Sequence, residues 1–402
     1  MTKNAGLQVT TSAKRIFIVA GEHSGDALGG KLMTALRARL GGAVTFSGVG
    51  GQDMEAAGLA SIYPLGDITV MGPIAILKRL PFLYRRGLQA VEAGIAADPD
   101  LVVIIDAPMF THPIARRIRK RRPAIPIIDY VSPSVWAWRP WRARNMKPYV
   151  DHVLALWPFE PQAHRELGGP KCTYVGHPVL EKLPWIAALD PGPFQRANSL
   201  DGTRPILLVL PGSRTSEVER LMAVFGDAVA LVAARDPGVQ VVIPAMPNVR
   251  AMIEERLTQW PAAARQRAVV IAAEDEMAKF SAFKLARAAL AAAGTVALEL
   301  ALTRTPMVVA YRVDVVISAL RRLIKAKTCV LPNLITGEFA VPEFLQEDCT
   351  AEKLSAAVAA AMGETPERAA QLAELDAVPR MLALADGKTA SEAAAEVVAG
   401  YL

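Results

Sequence analysis

Cysteine is scarce in this 402-residue chain: Cys172, Cys329 and Cys349 are far apart and odd in number. That excludes a disulfide framework, matches no zinc-ligand spacing and fits a reducing compartment. Aromatic residues make up only 6% against 52% hydrophobic residues in all, which favours α/β layers packed with Ala, Val and Leu over a β-sandwich. No apolar run reaches the roughly 18 residues of a membrane span. The polar opening Met1–Ala13 lacks the apolar core of a secretory signal. The expected location is therefore cytoplasmic, or attached to a membrane from the cytoplasmic side. Walker A, GxSxG and HExxH sequences are missing, and Gly48-Val49-Gly50-Gly51 does not fit the strand–GxGxxG–helix register. No Asp-x-Asp of the metal-dependent nucleotide-sugar type is recognised, so neither a metal nor a cofactor is expected.

Charge is unevenly placed. The net balance is +6, but residues 1–186 hold 23 Lys and Arg against 14 Asp and Glu, while the remainder holds 22 against 25. A basic first half suits a phosphorylated substrate, an anionic membrane surface or nucleic acid. The cations are scattered and form no recognised module, so nucleic acid is not the expected partner.

What is present is a repeated opening. Arg15–Ala20 is an apolar run that breaks at Gly21-Glu22-His23-Ser24-Gly25-Asp26 and leads into a helical pattern. Pro205–Leu210 breaks at Pro211-Gly212-Ser213-Arg214 and does the same. Continuous apolar strands are those of a parallel sheet buried on both faces, and each following helix offers free N–H groups to an anion. Further runs at 101–105, 126–131 and 152–156, and then at 239–244, 268–271, 288–292 and 306–311, alternate with helical patterns. The fold class is thus α/β, with two Rossmann-like parallel-sheet domains facing across a cleft. The expected boundaries are 1–185 for the first domain, 186–204 for a Pro- and Gly-bearing linker, 205–385 for the second domain and 386–402 for a closing helix.

Several segments could carry chemistry. Asp106 ends the run 101–105, where open α/β sheets bind ligands, and could act as a general base or simply cap the next turn. Glu22 is a second candidate base, with Ser24 beside it. Arg214, after Gly212 and Ser213, could grip a diphosphate or pair with Glu217 or Glu219. Gly294 and Thr295 open a helix suited to phosphate, and Glu299 one turn on could hold a ribose or face solvent. The stretch 70–86 sets Val70, Met71, Ile74, Leu77, Leu80 and Leu83 beside Lys78, Arg79, Arg85 and Arg86. It could be an amphipathic core helix or a surface lying against acyl chains.

Together, Val19–Asp26, Ile105-Asp106-Ala107-Pro108, Tyr130-Val131-Ser132-Pro133-Ser134-Val135-Trp136-Ala137-Trp138-Arg139, Tyr174–Pro178, Leu210–Arg214, Gly294–Glu299 and Leu331-Pro332-Asn333-Leu334 resemble the lipid-A-disaccharide synthase family, glycosyltransferases of GT-B fold. The SPSVWAWR run is the most specific of these. The resemblance implies transfer of 2,3-diacylglucosamine from UDP to the 6-hydroxyl of 2,3-diacylglucosamine 1-phosphate (lipid X), with inversion. It implies Asp106 or Glu22 as base, Ser24 as a polar contact, and Gly212, Ser213, Arg214, Gly294 and Thr295 on the diphosphate. Glu299 would hold the ribose and Asn333 the nucleotide or sugar. It turns 70–83 into a membrane- or acyl-facing surface, at the inner membrane. It also sends the last helix back onto the first domain or onto a second copy in a homodimer. The chain departs from the family pattern at His23 and at Gly337-Glu338-Phe339. The rival expectations are another GT-B enzyme acting on UDP-GlcNAc, such as an epimerase, and a non-catalytic two-lobed binding protein.

Overall fold

The structure, a computed structural model, describes residues 13–69, 73–313 and 326–402, with the backbone alone for 73–78. The chain divides into two compact units, Met1–Pro178 with Leu384–Leu402, and Val179–Ala383.

The first unit is built on seven parallel strands: β1 (Lys14–Ala20), β2 (Val44–Val49), β3 (Ala60–Ser61), β4 (Leu101–Ile105), β5 (Ile127–Tyr130), β6 (His152–Ala155) and β7 (Lys171–Tyr174). Their order is β3-β2-β1-β4-β5-β6-β7. Consecutive strand residues serve opposite faces. Ile16, Ile18, Val103 and Ile105 pack under helices His23–Arg39 and Ala390–Ala399. Phe17, Val19, Val102 and Ile104 form a second core with Ile114, Ala115 and Ile118 of helix Pro108–Arg121. Both faces are covered, so the strands read as unbroken apolar runs.

The last helix lies within its own chain. Ala394, Ala395 and Val398 enter the β1 core, the Tyr401 hydroxyl meets His152 Nδ1 at 3.1 Å, and Lys14 Nζ donates to the Leu402 carbonyl. Thr389 and Glu392 form a capping box at its start.

The second unit repeats the plan with β8 (Ile206–Leu210), β9 (Gln240–Ala245), β10 (Ala268–Ala272), β11 (Ala288–Ala292), β12 (Met307–Tyr311) and β13 (Glu343–Leu345), in the order β10-β9-β8-β11-β12-β13, all parallel. The segment expected as a linker is helical over Leu183–Ala188 and Gly192–Ala197 and belongs to this unit. Lys284 Nζ donates to the carbonyls of Ile186, Ala187 and Leu189 at 3.0, 3.3 and 2.7 Å, which satisfies the end of the first of these helices. Its prolines open helices rather than break them. Helix Pro366–Leu382, unmarked by any expectation, packs on Leu331–Thr336 and Val296–Leu302.

Two buried carboxyl groups pin the first unit's loops. Asp26, 3% exposed, accepts the N–H groups of Gly51 at 2.7 Å and of Asp53 and Met54 at 3.1 Å, capping helix Gln52–Ala56. Glu160 accepts the Trp136 indole N–H and the Trp157 amide, both at 3.2 Å, and anchors the tryptophan-bearing loop after β5. Burial pushes the Glu160 carboxyl up to about 8. Between its ordinary value of 4.5 and about 8, the unfolded chain has released this proton while the folded chain keeps it. Stability contributed by Glu160 therefore falls as pH rises through that window, by at most about 1.4 kcal/mol per pH unit. Thermal melts from pH 5 to 8 are expected to show Glu160→Gln gaining on wild type as pH rises; a constant difference would mean that Glu160 is ionised in the fold.

Candidate active site

Each sheet reverses its strand order beside its first strand, between β1 and β4 in one unit and between β8 and β11 in the other. Ligands of open α/β sheets collect outside the carboxyl ends of strands at such switch points. The segments leaving these four strands are Gly21–Ser24, which runs into helix His23–Arg39, then Asp106–Ala107, Pro211–Arg214 and Ala293–Thr295, and between them they carry nearly all the polar candidates.

In the first unit, Asp106 and Ala107 follow β4 with φ of 53° and 43°, an uncommon left-handed pair before Pro108 starts the next helix. Non-glycine residues hold this conformation at a cost of about 1 kcal/mol each. Here the Thr111 hydroxyl holds the turn by donating to the carbonyls of Asp106 at 2.7 Å and Ala107 at 3.2 Å. The turn aims the half-buried carboxylate of Asp106 at the first loop. The Ala107 N–H donates to Oδ1 at 2.7 Å, and the Ser24 hydroxyl donates to Oδ2 at 3.1 Å. Gly21 is required for this approach, because a Cβ there would lie 2.3 Å from that of Ala107. Glu22 sits exposed at the N-cap of helix His23–Arg39.

In the second unit, Gly212 takes φ of 115°, and Arg214 caps helix Thr215–Arg235. The Ser213 and Arg214 amides, expected to hold phosphate, instead donate to Glu217 Oε2 at 3.1 and 3.2 Å, and Arg214 Nη1 meets Oε1 at 3.0 Å. A side chain on Gly212 would strike Glu217, so this glycine makes room for the carboxylate. The Arg214 side chain remains 66% exposed. Gly294 has open space on its side-chain face, and Thr295 begins helix Val296–Leu302 without a side-chain cap. Glu299 does not face bare solvent: Lys279 lies 3.0 Å from it and Lys182 at 4.0 Å. Asn333 is a correction. It is buried, its amide donates to the Val341 carbonyl at 2.8 Å and accepts the Val341 N–H at 3.1 Å, so it closes its own loop instead of facing a ligand.

Of the apolar stretch, Val70 and Met71 lie outside the described residues, as do the side chains of Ile74 and Leu77. Helix Pro73–Ala96 leaves Leu80 54% exposed, and Tyr84, which no expectation named, 56% exposed. Leu83 is a second correction: it packs against the inner core with Ile62 and Phe110. No helix among the described residues is long and apolar enough to cross a membrane, and none of their His, Cys, Asp and Glu side chains form a metal-binding group. One Asp-x-Asp triplet does occur, Asp98-Pro99-Asp100, but it precedes β4, at the end of the strand away from Asp106, and pairs with Arg15 and Arg122.

The sequence reading offered Glu217 as a partner for Arg214, which it is, but not as the acceptor of the loop amides, and it missed Asp26 and Lys279. Glu217 lies three residues after the N-cap, the place of the acid in a capping signature. Lys279 carried no local signal, since it meets Glu299 only through the fold.

The family model described as lipid-A-disaccharide synthetase matches residues 16–397. A lipid-A-disaccharide synthase of Rhodopseudomonas palustris (strain BisB18) is 46% identical over 98% of this chain and 97% of its own. One from Nitrobacter hamburgensis is 48% identical over 96% and 95%. Solved structures share the fold at much lower identity. UDP-GlcNAc 2-epimerase of Neisseria meningitidis is 13% identical, with TM-score 0.61 over 96% of this chain and 98% of its own. The calicheamicin glycosyltransferase CalG4 is 16% identical, with TM-score 0.57 over 97% and 98%. At those identities the epimerases and glycosyltransferases establish architecture alone, whereas the sequence match runs nearly end to end: the chain belongs to the lipid-A-disaccharide synthase family.

Proposed function

We propose that the chain is an inverting glycosyltransferase that joins UDP-2,3-diacylglucosamine to 2,3-diacylglucosamine 1-phosphate, releasing UDP. The observation that carries this is a family match across residues 16–397 together with a carboxylate, Asp106, turned out of a strand end and oriented by hydrogen bonds on both oxygens. Asp106 takes the proton of the acceptor 6-hydroxyl. The oxygen attacks the anomeric carbon from the face opposite UDP, the bond to the diphosphate breaks, and UDP leaves with the electron pair. One displacement inverts the centre, so no covalent enzyme intermediate is needed. Asp106 is the residue we assign as base because two donors fix its geometry, which is what a base needs before its basicity matters.

In the second unit, the Arg214 guanidinium, the Ser213 hydroxyl and the open loop at Gly294 and Thr295 take the diphosphate. Gly212 serves by admitting Glu217. Glu299 accepts from the ribose hydroxyls, with Lys279 holding the carboxylate in place. Leu80 and Tyr84, beside the exposed Arg79 and Arg85, rest against the cytoplasmic face of the inner membrane, where acylated substrates are found. The enzyme is peripheral there.

Incubation with UDP-2,3-diacylglucosamine and the phosphorylated acceptor should yield UDP and a disaccharide. Epimerisation of UDP-GlcNAc without disaccharide would overturn the proposal. Asp106→Ala is expected to cut kcat by about a hundredfold or more; near-wild-type turnover would remove Asp106 from the chemistry. Glu299→Gln should raise KM for the UDP-sugar and leave acceptor KM unchanged, and the reverse pattern would move Glu299 to the acceptor. Replacing Leu80 and Tyr84 with Ser should weaken flotation with vesicles containing phosphatidylglycerol, whereas unchanged partitioning would place the membrane contact elsewhere.

A further inference from the structure

Helix Pro108–Arg121 carries two sets of cations with different surroundings. Arg119, Arg121 and the adjoining Arg122 pair with Asp151, Glu92 and Asp98. Arg116, Arg117 and Lys120 pair with no carboxylate among the described residues, and neither does Arg142 of the next helix. These four line one cavity of about 540 Å³ that opens beside Pro108 and Met109, two and three residues after Asp106.

The cavity is organised rather than incidental. Met109, His112, Arg116 and Lys120 recur at three- and four-residue spacing and so share one helix face. Its wall is rigid: the His112 ring lies between the Tyr149 hydroxyl, 3.0 Å from Nδ1, and buried Asp129, 3.1 Å from Nε2. Arg116 sits over the Tyr149 ring at 4.9 Å. Among the described residues, Asp129 is the acid in ion-pair contact with this wall, through His112; it is buried and pairs with none of the four cations. Burial, and then the neighbouring Arg139, push the Arg142 guanidinium below its ordinary value.

Cations gathered in a concave site with no carboxylate paired to them repel one another until an anion enters. Guanidinium forks are matched to phosphate oxygens. We propose that this cavity is the subsite for the phosphate monoester of the sugar acceptor. It rests on the transferase activity proposed above and assigns to Arg116, Arg117, Lys120 and Arg142 the choice of a phosphorylated over an unphosphorylated acceptor. A concave pocket adjoining the Asp106 turn suits one small dianion better than a flat lipid headgroup layer does. The apolar rim of Pro108 and Met109 leaves space for the acceptor's non-polar parts.

The test uses the full chain with Arg116→Ala and Arg142→Ala combined, and Arg121→Ala as a control on the same helix. The double variant is expected to raise acceptor KM by about tenfold or more while donor KM and melting temperature hold. With an acceptor lacking its phosphate, wild type and double variant should perform alike. Arg121→Ala should match wild type, and returning lysine at both positions should recover part of the loss. Equal impairment on both acceptors would overturn the subsite. So would loss of binding to phosphatidylglycerol vesicles with acceptor KM unchanged, which would make the cavity a membrane contact. Titration with glucosamine 1-phosphate and glucosamine, followed by calorimetry, reads the site without turnover. Binding of the first alone, lost in the double variant, supports the phosphate site even if no disaccharide forms. Disaccharide formation with an unaltered double variant removes the subsite and leaves the transferase standing.

Discussion

The pairing of β1 with β4 is the constraint on which the first unit's chemistry depends. Ala20 lies in register with Ile105, so the two strands end side by side and their loops must share one edge of the sheet. That is why a residue at position 106 meets one at position 24, and why Gly21 can carry no side chain against Ala107. The same logic acts in the second unit, where β11 pairs with β8 and brings Gly294 to the edge that holds Ser213 and Arg214. Parallel pairing across a crossover creates these edges, because the next strand restarts on the other side of the first and leaves a gap between loops at the switch point.

Carboxylates in this molecule divide into two kinds. Asp26 and Glu217 are buried, accept backbone N–H groups and thereby fix the shape of a loop. Asp106 reaches the sheet edge with, among the described residues, a neighbouring amide and a serine hydroxyl on it, and Glu299 keeps a lysine close by. The first kind satisfies donors that would otherwise be stranded at helix starts. The second stays half-buried, with fewer donors on it. Arg and Lys divide in the same way along helix Pro108–Arg121, between those neutralised by a carboxylate and those turned into a cavity.

How much was legible depended on whether the deciding contact was local. The strand cores at 101–105 and 288–292 were readable to the residue, since burial on both faces leaves an uninterrupted apolar run. Asp106 was readable as a carboxylate at a strand end. The hydrogen bond that orients it was not, because the serine that donates it is 82 residues away. Asn333 looked like a ligand contact in its motif, yet its partner is the backbone of Val341 across a turn, a loop closure that motif resemblance cannot distinguish from a substrate bond. Leu83 and Leu80 differ by less than one helical turn, and only the packing of Pro73–Ala96 on its neighbours puts one inside and one out. The supposed linker failed on composition: its prolines mark helix starts, and the end of its first helix is held by a lysine about 95 residues on.

The amino-acid sequence by itself determined the α/β class, two parallel sheets and membership in the family, because periodicity, strand-end glycines and contiguous motifs are local properties. The tertiary structure alone decided which polar groups in the strand-end loops are spent on the fold and which are left over. That division rests on partners distant in sequence. Glu217 consumes amides that spacing would have assigned to phosphate, Lys279 finds Glu299, and Arg116 and Arg142 meet in one cavity across 26 positions of chain.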